Sequence, residues 1–315
     1  VRDKEAQYTR IEMEFKKDQL AKELRGTNKS YILSIVRELI CDMLNKRFSE
    51  LAMKPEATFV AAGSYYGELV KEKDAFTAVY LTKQGQETQA YADLLLQLEG
   101  MRRYGFTNAE LERVKKETIA AYEKSYNERN TMRNIAYVQE YINNYLSGEP
   151  IPGIEWEYTA IQQLLPAIDI NMINQYAHTF VTDSNLIISF QAPDDPNITL
   201  PTETEALQML AEVKNVEIEA PVEEAIRTTL IEKAPRAGRI RTTTYNSVLN
   251  TTEWVLSNGV RVIIKPTTFK QDEILFEGFS FGGASLITDP KDLVSANIAT
   301  AVVAMSGLAD MSMTE

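Results

Sequence analysis

The order of elements along the chain predicts an α+β fold in which a mostly antiparallel sheet is packed by helices. Three stretches carry this reading. Tyr8 to Lys16 alternates strictly, with Ile11, Met13 and Phe15 on one side and Arg10, Glu12, Glu14 and Lys16 on the other, the period of a strand with one wet face. Ser30 to Met53 places Ile32, Ile35, Val36, Leu39, Ile40, Met43, Leu44 and Phe48 three to four residues apart, a long amphipathic helix stopped near Pro55. Thr58 to Tyr66 and Ala75 to Leu81 are β-rich runs joined through Gly67 and the charged Lys71-Glu72-Lys73-Asp74, an antiparallel pair.

The remaining elements follow from their punctuation. A helix runs from Gly85 through Leu94, Leu95, Leu98 and Met101 to Gly105, where glycine supplies a left-handed stop. Thr107 and Glu110 have capping-box spacing, so another helix, or a broken pair, starts there and runs toward Leu146. Ser147 to Gly153 ends it. Helices fit Glu155 to Leu165 and Ile170 to Phe180, the second with Asp169 as N-cap. Leu186 to Phe190 is an apolar strand, and Thr202-Glu203-Thr204-Glu205 repeats the capping-box pattern before a helix to about Lys214.

From 215 to 250 the chain changes character. Acidic Glu217, Glu219, Glu223 and Glu224 precede basic Lys233, Arg236, Arg239 and Arg241, with Pro221, Pro235 and Gly238 between, which reads as a linker crossing the surface. The chain then restarts. Trp254 to Lys265 holds Ser257-Asn258-Gly259 between apolar runs, a hairpin whose turn favours positive φ at Asn258 and Gly259. Pro266-Thr267-Thr268 breaks its second strand, Glu273 to Ser280 supplies a third strand ended by Gly282-Gly283, and Asp289 to Leu308 is a helix. The domains expected are therefore 1–214, a linker or hinge at 215–250, and the start of a further domain at 251–315. Only ~60 residues follow the restart, too few to close a sheet-and-helix core. With Val1 in place of an initiator Met, the expectation is an internal piece of a longer protein.

Composition narrows the function classes. The 315 residues carry 33 Lys plus Arg against 45 Asp plus Glu, a net charge of -12 with no basic stripe, which argues against a nucleic-acid partner. The longest weakly polar stretch, Val294 to Ala309, is too short for a membrane span. Cys41 is the single cysteine, so no intrachain disulfide forms; it reads as a buried small hydrophobe on a helix. Gly278, Gly282 and Gly283 lack the Lys-Ser/Thr of a phosphate loop and read as strand-end glycines.

Several stretches in order resemble the pitrilysin/insulinase family of zinc metallopeptidases, the inverzincins. They are Leu33 to Leu39, Met43 to Leu51, Ala61 to Gly67 followed by Lys73 to Phe76, and Arg102 to Thr107 followed by Glu110-Leu111. The resemblance covers roughly residues 5 to 195, as a non-catalytic second domain, and resumes at Trp254. It implies an architecture of repeated α/β domains, like insulinase and the mitochondrial processing peptidase. In a catalytic repeat of that family the helix after the Gly-rich strand carries His-x-x-Glu-His, which sets two imidazoles one helical turn apart for zinc and a Glu to activate the metal-bound water. Here that place is held by Val302-Val303-Ala304-Met305, and the whole chain has one histidine, His178, which reads as a structural residue.

The resemblance therefore implies no catalytic, cofactor-binding or metal-ligating residue in this chain, with zinc in a catalytic domain of the parent upstream. It implies a non-catalytic section of a bacterial zinc metalloendopeptidase that encloses unfolded peptides, supplying chamber wall and hinge and inactive alone. A peptide and the catalytic domain would be its partners; a dimer is compatible, and a periplasmic location is favoured over the cytoplasm. Arg129, Arg133, Tyr137 and Tyr141, at helical spacing, are candidates for a face toward the peptide, against a solvated or packing face. The alternative is a structural or peptide-binding subunit of a heterodimeric peptidase, separable by whether His-x-x-Glu-His precedes this section in the parent.

Overall fold

The computed structural model describes residues 1–223, 233–268, 273–308 and 311. They divide into two units, one holding 1–126 and the chain from 132 to 223, the other holding 127–131 and the described residues from 233 onward.

The sheet of the first unit is set by the alternating strand. β1 (Arg2–Asp3) is a short parallel partner of the last strand, and β2 (Arg10–Asp18) buries Ile11, Met13 and Phe15 as its pattern requires. The helix α1 (Asn28–Ala52) starts at Thr27, whose hydroxyl accepts from the Ser30 amide while Ser30 Oγ accepts from the Thr27 amide. Its stripe of Ile35, Val36, Leu39, Ile40, Met43, Leu44 and Phe48 is buried against that sheet. β3 (Phe59–Val70) and β4 (Lys73–Thr82) form a hairpin turning at Lys71-Glu72, so Gly67 lies inside a strand, not in the connection. The sheet order is β1-β5-β2-β4-β3, antiparallel except at β1, which leaves β3 as an edge.

The helix α2 (Glu87–Tyr104) stops at Gly105, which has φ of +65°. Glycine is needed there for space as well as for φ. A Cβ would lie 2.2 Å from Asn174 Oδ1, the oxygen that accepts from the Phe106 amide at 2.8 Å. The helix α3 (Asn108–Asn127) begins with the expected box: the Thr107 amide donates to Glu110 Oε2 at 2.7 Å and the Glu110 amide to Thr107 Oγ1 at 3.3 Å. The long helix expected from 107 to 146 is the broken pair, since α4 (Asn134–Ser147) is separate and buries none of its residues. The helices α5 (Ile154–Leu164) and α6 (Ile170–Ala177, capped by Asp169) precede β5 (Leu186–Pro193), and α7 (Glu203–Glu212) is capped by Thr202.

Residues 215–223 depart from the linker reading. Arg103 donates to the carbonyls of Val216 (2.7 Å), Lys214 (2.8 Å) and Val213 (3.0 Å), and Glu99, buried, holds the guanidinium through Nε at 2.6 Å. The Glu223 carboxylate accepts from the amides of Ala109 (2.8 Å) and Asn108 (3.0 Å), the open first turn of α3. Charge and proline do not make a segment free when helix ends offer it hydrogen bonds. Glu224 lies outside the described residues.

In the second unit β6 (Ile240–Asn246), β7 (Thr251–Leu256) and β8 (Arg261–Ile264) form an antiparallel sheet in that order. β6 falls inside 215–250, so an unstructured reading does not extend to it; its Thr-rich stretch takes a ladder with β7 that composition alone did not reveal. At the hairpin turn Gly259 has φ of +87° and Asn258 has no positive φ. The Gly259 amide donates to the Leu256 carbonyl at 2.9 Å and the Leu256 amide to that of Val260 at 2.8 Å, so the loop is a three-residue turn closed by a glycine bulge, not a two-residue primed turn. The strand expected at 273–280 does not form: no ladder partner exists for it among the described residues, and Ile274, Phe276 and Phe279 are exposed. The helix α8 (Leu293–Met305) lies within the expected span, with Val302, Val303 and Met305 exposed.

Candidate functional site

α1 and β3 pack together, joined through Cys41, Asn45 and Ser64. The run Ala61-Ala62-Gly63-Ser64 has the small side chains that let a helix approach a strand closely. At the junction the Ser64 amide donates to Asn45 Oδ1 at 2.6 Å, Asn45 Nδ2 donates to the Ser64 carbonyl at 3.1 Å, and Ser64 Oγ lies 3.3 Å from the Cys41 carbonyl it bonds. Beyond this junction opens a cleft of about 530 Å³ between Ser34, Arg37, Glu38 and Asp42 of α1 and Tyr65 to Glu68 of β3. The connection after β2 closes one side, where Arg25 ties the carbonyl of Leu20 (3.0 Å) to the side chain of Gln19 (2.7 Å).

The cleft walls are charged, and burial governs their titration. Arg37 stacks its guanidinium 4.0 Å from the centre of the Tyr66 ring and stands 3.8 Å from Asp74. Burial lifts Asp74 above the usual carboxylate range despite Arg37. Glu38 is raised by burial first and then by the charges of Asp42 and Glu157. Asp42 is raised by burial and by Glu117, against Lys46. Burial also pushes the Cys41 thiol up to about 12, so it stays protonated and is no nucleophile at neutral pH.

The strand edge offers binding chemistry. An antiparallel strand turns the N–H and C=O of alternate residues to the same side, and Ser64, Tyr66 and Glu68 share that side in an unbroken register with β4. Asn45 shows that the Ser64 groups face away from β4. The groups of Tyr66 and Glu68 therefore face the cleft, where an extended chain can pair with them.

The residues singled out from sequence lie elsewhere. Tyr137 and Tyr141 are one turn apart on α4 and exposed, Arg133 is the exposed N-cap residue of that helix, and Arg129 is half-buried in the preceding turn. None of the four lines the cleft; Ser147, the last residue of α4, and Glu149, just past it, do. His178 is the exposed C-cap of α6, with Nδ1 against the Arg102 carbonyl. Among the described residues no three His, Cys, Asp or Glu side chains come together as a metal site, and the donor set of one His and one Cys does not fit the zinc centre of the inverzincins. Arg37, Asn45 and Ser64 were not found by sequence. A mid-helix Asn, a poor helix former, beside a downstream run of small strand residues was the available signal.

No family model matches the chain. It is 28% identical over 212 residues to a zinc protease PQQL-like protein of Arabidopsis thaliana, covering 66% of this chain and 22% of that one. Among solved structures, the periplasmic protease PqqL of Escherichia coli aligns over 100% of this chain and 34% of its own, with a TM-score of 0.64 and 17% identity. A predicted insulinase family protease from Yersinia pestis aligns over 67% and 45%, with a TM-score of 0.58 and 11% identity. The chain has the pitrilysin/insulinase-like fold. It spans about a fifth of its curated relative's length and about a third of PqqL's. That relative is a plant protein, so a bacterial source does not follow from it. No described helix of the pitrilysin/insulinase-like chain is long and apolar enough to cross a membrane.

Proposed function

We propose that this chain is a non-catalytic section of a zinc-dependent metalloendopeptidase, one that forms part of the wall enclosing unfolded peptides and holds them in extended form along β3. The observation that carries the reading is the cleft, one wall of which is a strand edge with outward backbone groups. Zinc belongs to a catalytic domain elsewhere in the parent. The hinge assigned to 215–250 loses 215–223 and 240–246, which are hydrogen-bonded into the two units. Similarity to periplasmic PqqL supports an exported location.

The test is fluorescence anisotropy with a labelled, unstructured peptide of alternating Val and Thr flanked by Lys, alongside the same peptide methylated on alternate backbone nitrogens. Saturable binding of the first, loss of binding by the second, and no cleavage by mass spectrometry are expected. Equal binding of both peptides would show that no strand pairing occurs.

A further inference from the structure

The outward edge of β3 is closed at one place, and the closure is made by a side chain of another element. Asn45 presents to Ser64 an acceptor for its amide and a donor for its carbonyl, at 2.6 and 3.1 Å, which is what a residue of a neighbouring strand would present. We propose that Asn45 is a positioning residue: it substitutes for a paired strand at Ser64 and confines an extended peptide to the backbone groups of Tyr66 and Glu68. This rests on the reading of the cleft as a peptide site.

The bounds come from both ends. On one side the Asn45 contact is reinforced by Ser64 Oγ, buried, which bonds the Cys41 carbonyl and stands 3.0 Å from Asn45 Oδ1; a peptide would have to break all of these to pair with Ser64. On the other side the β3–β4 register shifts between Glu68 and Val70, which rotates the following backbone groups out of line. Two outward-facing residues remain, which accommodate about five peptide residues, since pairing groups recur every second residue. The site built this way reads backbone over a short length and is tolerant of sequence, the property needed to hold many different unfolded peptides. Only a carboxamide makes this closure. Asp lacks the donor for the Ser64 carbonyl, and Ala lacks both groups.

The experiment is a length series, from three to eleven residues, of fluorescein-labelled peptides of alternating Val and Thr with flanking Lys, bound to the same chain with Asn45, Asn45→Ala or Asn45→Leu. With Asn45, affinity stops rising beyond about five residues. With Asn45→Ala the plateau moves out by about two residues, and peptides longer than the original limit bind about fivefold tighter than five-residue ones, the gain from one further backbone pair. Asn45→Leu, of similar shape but with neither donor nor acceptor, moves the plateau in the same direction and serves if the alanine variant does not fold. A purely structural role would weaken every length in parallel, and an unchanged plateau in both variants overturns the proposal. Absence of binding by the unaltered chain at every length is a separate result, which removes the peptide reading of the cleft itself.

Discussion

Replacing Glu223 with Ala tests whether the segment after α7 is part of the first unit. The carboxylate caps two amides of α3 at 2.8 and 3.0 Å, and a carboxylate at a helix N-terminus also meets the favourable end of the helix dipole. Buried, such a cap is worth up to ~2 kcal/mol. Glu223 is exposed, so screening cuts the figure to about 1 kcal/mol, a factor of about five in a local opening equilibrium. The other first-turn donors keep their partners, because the Glu110 amide bonds Thr107 Oγ1 and the Leu111 amide bonds the Thr107 carbonyl at 3.2 Å. The effect is therefore local. Native-state hydrogen exchange should show the Asn108 and Ala109 amides exchanging about fivefold faster in Glu223→Ala. Residues 217–222 should lose protection with them, while those held by Arg103 do not. Glu223→Gln, which keeps an acceptor without the charge, should fall between. Unchanged exchange at Asn108 and Ala109 would refute the cap, and a change there without loosening of 217–222 would show that Arg103 alone holds the segment.

Limited trypsin digestion should cut first at Lys233 or Arg236, which lie in the exposed stretch before β6, and not at Arg241 inside that strand; first cleavage at Lys71 or Lys83 would contradict this. Glu38→Gln should raise the urea midpoint at pH 7. The folded chain holds the Glu38 proton more tightly than the ordinary 4.5, so stability is lost as pH rises from 4.5 through the folded pKa, and the variant should lose this part of the pH dependence. Glu110 has the opposite sign. Burial raises its pKa, but Arg47 and Thr107 outweigh burial and hold it below 4.5, so its contribution is present above that value and is lost as pH falls through the folded one. Glu110→Gln should therefore destabilise the chain at pH 7 and progressively less as pH falls below 4.5 in thermal melts. Metal analysis of the chelator-washed chain should return no stoichiometric zinc, since one His and one Cys cannot build the centre.

Most of the first unit was legible because its signals are local. Alternation at Ile11, Met13 and Phe15, the three-to-four spacing along α1, and the Thr107 and Thr202 boxes each depend on residues within a few positions of one another. The candidate site was not legible, because Asn45 and Ser64 are 19 positions apart and their pairing depends on how closely a helix passes a strand edge. The charged stretch 215–223 was misread for the same reason. Its partners, Arg103 and the first turn of α3, are more than a hundred residues earlier, so composition could report its solubility and not its docking. The strand expected at 273–280 fails in the opposite sense, for β-propensity is local and a ladder is not.

Arg47 shows how these non-local bonds hold the candidate site in place. Asn45 and Arg47 sit two positions apart on α1 and therefore point to different sides of it. Asn45 reaches β3, while Arg47 donates to both oxygens of Glu110 at 2.6 and 2.9 Å and to the Gly105 carbonyl at 2.9 Å, and stacks 4.5 Å from the Phe106 ring. A half-buried bidentate pair with a further hydrogen bond is far less screened than a surface ion pair, so it fixes α1 against the junction of α2 and α3. That junction is also where Glu223 caps α3 and where Asn174 fills the space over Gly105. The cleft wall is thus anchored from behind by groups that never touch the cleft. The strand edge keeps its spacing from α1 because α1 is held on two sides, by Asn45 toward β3 and by Arg47 toward the junction of α2 and α3.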